Sequence, residues 1–123
     1  MKFSLADNSN EFTISSYARG KIVIGQRILT ANLVVLPDKI IDDWRPLGFD
    51  DLASGDFAPI AALEPDLILL GTGETQYFPE PSLFWPLLEL GIGFEVMTTP
   101  AACRTYNVLV SEGRRAAAAL LLD

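Results

Sequence analysis

The sequence predicts a single α/β domain, residues 1–123, in which an N-terminal β-hairpin region precedes a C-terminal half of βαβ type. The chain has 123 residues and a hydrophobic content of 50%, which suffices for one buried core. Glycines separate short apolar runs in the first third, as in hairpins. From residue 66 onward, continuous apolar runs alternate with helical patterns, which is typical of parallel strands joined by helices.

The first third predicts hairpins and one buried strand. Apolar side chains alternate with polar ones before Gly20, and an apolar run, residues 22–24, follows it. Gly20 and Gly25 can take the positive φ that tight turns require. Residues 33–36 form an apolar run that Pro37 closes, which predicts a strand. The alternating apolar side chains before the first turn are Phe3, Leu5, Phe12 and Ile14.

An acidic segment, residues 38–56, surrounds Trp44 and predicts a loop with short pieces of order. Adjacent acids such as Asp42 and Asp43 could hold Mg²⁺ or act in acid/base chemistry. A solvated acidic loop is the interpretation we favour, because surface carboxylates greatly outnumber catalytic ones. The pattern after it predicts a two-turn helix over residues 56–63 with Asp56 as its N-cap.

The C-terminal half begins with a predicted strand, residues 66–70, that is continuously apolar after its first residue, Asp66. A helix is predicted over residues 82–90, with Gly91 as its end and with a proline, Pro86, that shortens or kinks it. One stripe of this helix is predicted to face the core, and it consists of Leu83, Leu87 and Leu90.

A second strand, residues 94–97, leads into a helix that Thr99 is predicted to cap and Gly113 to end. Arg104, Asn107 and Ser111 are assigned to a different face from the one that packs on the sheet. The tail RRAAAALLL allows a helix by alanine propensity or a buried strand by its short apolar run. We predict a strand. The side chains assigned to the sheet-facing side of the helix are Ala102, Tyr106, Leu109 and Val110.

Charge and composition narrow the function classes. A net charge of −7 argues against nucleic-acid binding, which needs clustered Lys and Arg. With one cysteine and no histidine, the chain offers no internal disulfide, Cys/His metal site or Ser-His catalytic pair. No apolar run approaches the length of a membrane span and no signal-peptide pattern opens the chain, so we expect a cytoplasmic protein without cofactors.

The stretch PDLILLGTGE runs a predicted strand into a Gly-x-Gly turn, as many phosphate sites do. A dinucleotide fingerprint needs a third glycine and an immediate helix. Here Gln76 stands at the third glycine position, Glu74 adds negative charge, and Pro79 and Pro81 delay the helix. An ordinary strand-to-loop turn is therefore the favoured interpretation.

The same turn has a predicted neighbour. If the strands that end at Leu70 and Met97 are parallel, their carboxyl ends share one sheet edge and the turn faces the start of the last helix. Helix amides, the Thr98 hydroxyl and Arg104 could then hold a small anion or a partner's carboxylate. In the alternative, Thr99 only caps and Arg104 only neutralises acids. For Cys103, a buried thiol is favoured over a thiolate that the helix dipole stabilises.

Three stretches, GTGETQYFPEP, GIGFEVMTT and AACRTYNVLVSEGRRAAAAL, resemble the signature of domain-of-unknown-function family 498. This is the MTH-938-like superfamily, which includes Xcc-1710-like bacterial proteins and, in eukaryotes, the mitochondrial respiratory complex I assembly factor 3. The resemblance implies a three-layer fold with a mixed central sheet, a final strand and no established enzymatic activity. Its characteristic positions fall here on Gly71, Thr72, Gly73, Thr98, Arg104, Thr105, Tyr106, Asn107, Glu112, Gly113 and Arg114.

Two functions follow as hypotheses. The first is a non-enzymatic interaction or assembly protein with protein partners, favoured by the resemblance and by aromatic residues near the turn, Tyr77, Phe78 and Trp85. The second is a small-anion or small-ligand domain that uses a crevice between the turn and the last helix. The residues assigned to this crevice are Gly71, Thr72, Gly73, Thr98, Thr99, Cys103, Arg104, Tyr106 and Asn107.

Overall fold

The computed structural model describes residues 11–122, which form two sheets and three helices. The predicted alternating residues Phe3 and Leu5 lie outside this range. The strands are β1 (Ser16–Ala18), β2 (Lys21–Ile24), β3 (Arg27–Leu29), β4 (Leu33–Leu36), β5 (Lys39–Ile41), β6 (Leu67–Gly71), β7 (Gly93–Met97) and β8 (Ala116–Leu120). The helices are α1 (Ala58–Ala61), α2 (Pro81–Glu89) and α3 (Thr99–Ser111).

The five-stranded central sheet is mixed, with the order β5-β4-β8-β6-β7. Strand β8 is parallel to β6 and antiparallel to β4, and β6 and β7 are parallel. The predicted tail strand is therefore confirmed, and it occupies the middle of the sheet. All four alanines of β8 are fully buried, because small side chains let both covering layers approach the sheet closely.

Three layers surround two core clusters, as the resemblance implied. One face of the central sheet packs against α3 and the small antiparallel sheet β1-β2-β3. The other face packs against Trp44, Phe57, α1 and α2. Successive side chains of β8 point to opposite faces of the sheet and so contribute to both clusters. Ala118 packs on the α3 side and Ala119 on the α2 side.

Glycines end elements where the sequence predicted. Gly20 and Gly25 close the two hairpins of the small sheet with φ of 77° and 60°. Gly91 ends α2 with φ of 78°. Gly113 ends α3 in a Schellman motif, in which the amides of Gly113 and Arg114 bond back to the last turn of the helix.

Three sequence-based assignments need correction. The helix predicted over residues 56–63 is a 3₁₀ turn, Ser54–Phe57, followed by the single turn of α1. Asp56 does not cap α1, since its carboxylate binds Arg45 and the Ala53 amide instead. Leu90 is 67% exposed and not part of the core stripe of α2. Strand β5 is a short ordered piece at the start of the acidic segment, and Pro37 and Asp38 form the turn of its hairpin with β4.

Candidate functional site

The GTG turn and the start of α3 meet at the carboxyl edge of β6 and β7, as predicted. The two strands are parallel, and Gly71 pairs with Met97 at their ends. The Thr72 amide donates to the Met97 carbonyl at 2.9 Å and extends this pairing by one residue. The N-cap of α3 is Thr98, whose hydroxyl accepts from the Ala101 amide, so the assignment of the cap to Thr99 was wrong by one position.

Thr99 joins the turn to α3 and leaves no gap between them. Its hydroxyl accepts from the Gly73 amide at 2.8 Å and donates to the Leu121 carbonyl at 2.5 Å. Its own amide donates to the Gly73 carbonyl at 2.8 Å. Thr99 is fully buried. The amide that a phosphate or carboxylate would use is therefore already satisfied by the protein.

The two glycines of the turn have packing and conformational roles. A Cβ on Gly71 would lie 2.9 Å from the Thr99 Cα, a separation that side chains do not tolerate. Gly73 has a φ of 94°, which favours glycine. The Gly-x-Gly pattern is thus explained by the close approach of α3 and by the turn itself.

The residue between these glycines holds the turn together. The Thr72 hydroxyl donates to the Thr75 carbonyl at 2.7 Å and accepts from the Tyr77 amide at 3.2 Å. The Gln76 side chain donates to the Val96 carbonyl on edge strand β7. Residues 72–77 therefore form an ordered turn whose polar groups bind neighbouring protein atoms.

Two residues of the RTYN motif anchor a distant segment. The Tyr106 hydroxyl donates to the Phe12 carbonyl at 2.7 Å. The Asn107 amide accepts from the Ile14 N–H at 2.8 Å and donates to the Ile14 carbonyl at 2.9 Å, as a paired strand would. Asn107 is buried, so its assignment to a face away from the packing surface was wrong. The available signal in the sequence was a polar residue, Asn107, among the apolar positions of α3, which indicates a buried hydrogen-bonding role.

The remaining predicted crevice residues point in different directions. Cys103 is buried, and burial raises the pKa of its thiol to about 12, opposite to the effect of the helix dipole. Arg104 is exposed on α3. The Tyr17 hydroxyl donates to the Glu74 carboxylate. Burial is the main cause that raises the pKa of Tyr17, and this hydrogen bond is the second cause. The turn is thereby tied to β1 as well as to α3.

The acidic segment is organised around Arg45. Its guanidinium binds the Asp56 carboxylate and the Asp51 carbonyl, while Trp44 donates from its indole nitrogen to the Asp56 carbonyl at 3.1 Å. Hydrogen bonding from Arg45 is the main cause that lowers the pKa of Asp56. Within residues 11–122, the acidic and cysteine side chains form no group of three or more that could hold a metal ion.

Large apolar side chains are exposed on the side of the molecule that carries α2. Tyr77, Phe78 and Trp85 are exposed, as predicted, and Tyr77 packs its ring against Phe49 at 5.3 Å. The sequence interpretation missed Leu47, which is 88% exposed. For the exposed residues in and after α2, the available signal was the sequence PSLFWPLLE, which is apolar on more sides than one buried stripe needs. Leu88 and Leu90 complete this exposed set.

Comparisons with known proteins agree with this architecture. The family model "Protein of unknown function (DUF498/DUF598)" matches residues 14–121. A bovine protein, NADH dehydrogenase [ubiquinone] 1 alpha subcomplex assembly factor 3, is 33% identical over 88% of this chain. The match spans only 59% of the length of the bovine protein. The "13 kDa major membrane protein" of Francisella tularensis is 33% identical, and the match covers 80% of each chain.

Solved structures share the fold. A crystal structure of a Bordetella parapertussis protein matches with a TM-score of 0.87 at 34% identity, covering 95% of this chain and 100% of that one. A Bordetella pertussis protein described as an Mth938-like domain matches with a TM-score of 0.83 at 29% identity, covering 100% and 93%. In the described part of the chain, the helices are too short or too polar to cross a bilayer.

Proposed function

The chain belongs to the DUF498/DUF598 family of proteins of unknown function, and from that premise we propose that it is an assembly-type interaction protein with protein partners. One observation carries the proposal: its similarity to complex I assembly factors extends over 88% of its length. We further propose that its partners belong to a respiratory complex, that it works without a catalytic site or cofactor, and that it is cytoplasmic.

The described geometry supports binding through an outer surface. Among the predicted crevice residues, Gly73 and Thr99 bond to each other, and Gly71 packs directly against Thr99. Asn107 bonds to Ile14. These contacts hold the turn, α3 and the N-terminal segment as one unit. Most of the exposed large apolar residues lie instead around α2, where water contact is unfavourable and a protein partner would cover them.

The small-anion alternative has no observation in its favour. The Gly73 amide donates to Thr99, and the Thr98 hydroxyl caps α3. An anion would have to break these bonds before it gained new ones. A thermal-shift screen with nucleotides, sugar phosphates and carboxylates tests the alternative. A ligand at a hundred times its dissociation constant would add about 2.7 kcal/mol of stability.

The assembly role is tested by deleting the gene in its native host and following the respiratory NADH dehydrogenase. We expect a several-fold loss of the intact complex on native gels, accumulation of its subcomplexes, and recovery when the wild-type gene is restored. A tagged chain should co-purify with subunits of these subcomplexes. Normal levels of intact complex in the deletion strain, with no reproducible partner, would contradict the proposal.

A further inference from the structure

A surface groove made of adjoining clefts runs beside α1 and α2. Its central part encloses about 360 Å³ between the two helices, and apart from Ser54 its lining is apolar. Ala58 and Ala61 are small, so space remains beside Leu87. Leu90 is two-thirds exposed at its border. The full lining of this part is Ser54, Phe57, Ala58, Ala61, Ala62, Leu83, Pro86, Leu87 and Leu90.

Further clefts adjoin this central part and share residues with it. A cleft of about 480 Å³ shares Ser54 and Leu83, and it continues through Phe49 to a third cleft beside Tyr77. At the other end, a cleft of about 400 Å³ shares Ala61 and Leu90. We name the four together the α1–α2 groove.

All charged residues that line the α1–α2 groove are acidic. They lie at its two ends, with Asp50, Asp51 and Glu80 on one side and Glu64 and Asp66 on the other. The sequence explains this, because residues 46–103 contain nine carboxylates and no lysine or arginine. The apolar centre therefore lies between two negatively charged ends.

The nearest basic side chains are already engaged. Arg45 binds Asp51 and Asp56. Arg115 binds Asp38 and the Leu63 carbonyl. Neither lines the groove. The carboxylates of Glu64 and Glu80 form no ion pair within residues 11–122, so they remain available to a cationic partner.

We propose that the α1–α2 groove binds a basic amphipathic segment of another protein, with large apolar side chains in its centre and lysine or arginine at both ends. This inference rests on the proposed assembly function and names the surface and the partner's chemistry. Helix-in-groove recognition places apolar anchors in such a channel, and complementary charges fix register and raise the association rate.

Charge also argues against other occupants. A second copy that docked the same surface face to face would bring acidic ends against acidic ends. An anionic membrane would be repelled by the same carboxylates. A basic polypeptide gains from both the apolar centre and the charged ends.

The test uses the full chain and a synthetic 18-residue peptide of leucine and lysine with all leucines on one helical face. Fluorescence anisotropy of the labelled peptide measures binding, and amide NMR shifts locate it. We expect shifts in residues 54–64 and 80–92, and an affinity that weakens with added salt. A leucine–glutamate peptide of the same pattern and a scrambled leucine–lysine peptide should each bind at least tenfold more weakly.

Surface variants separate the two features of the groove. Ala58→Asp with Leu90→Asp places charge in the apolar centre, and Glu64→Lys with Glu80→Lys reverses charge at the ends. All four positions are exposed, so the fold should tolerate both variants. Each should weaken binding at least tenfold. Val108 lies on the exposed face of α3, on the opposite side of the central sheet from the groove. Val108→Asp is therefore the matched control and should leave binding unchanged.

Several results would overturn the inference. The first is that the leucine–glutamate peptide binds as tightly as the leucine–lysine peptide, or that NMR shifts are confined to other surfaces. The second is that both groove variants bind the peptide as tightly as wild type. Self-association that Leu90→Asp abolishes, or tighter binding to phosphatidylglycerol vesicles than to the peptide, would likewise reject it. Expression of the groove variants in the deletion strain separates this inference from the proposed function. Full rescue by both would reject the groove and keep the assembly role, whereas a normal deletion strain would reject the assembly role alone.

Discussion

At the scale of single residues, Thr99 makes the junction that the sequence presented as a phosphate-like turn. Its hydroxyl bonds to the Gly73 amide and to the Leu121 carbonyl, so one side chain joins the ends of β6, β8 and α3. Gly71 completes the junction by having no side chain where the helix approaches. Residues that look like ligand contacts in the sequence are thus contacts between elements.

Gly71→Ala should therefore destabilise the protein. The added Cβ would meet backbone at 2.9 Å, which forces α3 or β6 to shift and costs about 1–3 kcal/mol. Urea unfolding followed by circular dichroism measures this loss. Gly48→Ala is the matched control, because Gly48 has extended backbone and open space around it, and its stability should change by under about 1 kcal/mol. Equal effects of the two changes would reject the close-approach explanation.

Asn107→Ala should cost more than its size suggests. The change removes both partners of Ile14, and each buried group left unsatisfied costs about 1–3 kcal/mol. We expect a loss of at least about 2 kcal/mol in urea unfolding. Ser111→Ala, which removes an exposed hydroxyl from the same helix, should change stability by under about 0.5 kcal/mol. A small effect of Asn107→Ala would mean that water satisfies Ile14 equally well.

The Cys103 thiol should be unreactive in the folded protein. Burial raises its pKa to about 12, so almost none is thiolate at neutral pH and reagents cannot reach it. Iodoacetamide at pH 8 should label the native chain at least a hundredfold more slowly than the chain in 8 M urea, as followed by mass spectrometry. Rapid native labelling would show that the start of α3 opens readily.

At the scale of elements, the Arg45 contacts hold the segment before α1, and they should respond to acid. The folded-state pKa of Asp56 is lowered, mainly by hydrogen bonds from Arg45. A lowered pKa contributes stability that is fully present above the unfolded-state pKa of 3.8 and is lost as pH falls through the folded-state value. The stability advantage of wild type over Asp56→Asn should be constant near neutral pH and shrink as the pH falls below about 4.

Urea midpoints between pH 7 and pH 2.5 measure this difference. Asp42→Asn removes only an exposed pair with Arg27 and serves as the control, with a change under about 1 kcal/mol at neutral pH. If the Asp56→Asn difference stays constant down to pH 2.5, the carboxylate of Asp56 does not stabilise the segment.

Element prediction succeeded where the signal is local and failed where it is not. The strand-helix-strand pattern from β6 to β8 was predictable because apolar runs, Gly91 and Gly113 mark it within the chain. The pairing of β8 between β4 and β6 depends on contacts about 50 to 85 residues apart, and no local pattern encodes it. The bond between Asn107 and Ile14 spans 93 residues and was missed for the same reason. Leu90 was misassigned because helical spacing alone cannot say which apolar residues lack a covering neighbour.

At the scale of the whole molecule, the acidic excess is unevenly distributed. Residues 46–103 carry only negative formal charge, whereas Arg104, Arg114 and Arg115 follow within the next twelve positions. This partition gives the α1–α2 groove its selectivity for cations. It also places five carboxylates along the α1–α2 groove, where their mutual repulsion opposes folding at low ionic strength.

This repulsion can be tested with two matched charge reversals. Glu89 is the last residue of α2 and Glu112 is the C-cap of α3, so lysine at either position lies at a helix C-terminus, which the dipole favours. Both substitutions change the net charge equally. Glu89→Lys introduces the only cation of residues 46–103, whereas Glu112→Lys joins Arg114 and Arg115. At 10 mM NaCl, Glu89→Lys should be the more stable variant by roughly 0.3–1 kcal/mol in urea unfolding. NaCl at 500 mM should shrink the difference, because the Debye length falls to about 4–5 Å and charges farther apart no longer interact appreciably. Equal stabilities of the two variants at low salt would mean that the acidic residues are too far apart to repel one another. The electrostatic part of the groove's selectivity would then have to come from its five lining carboxylates alone.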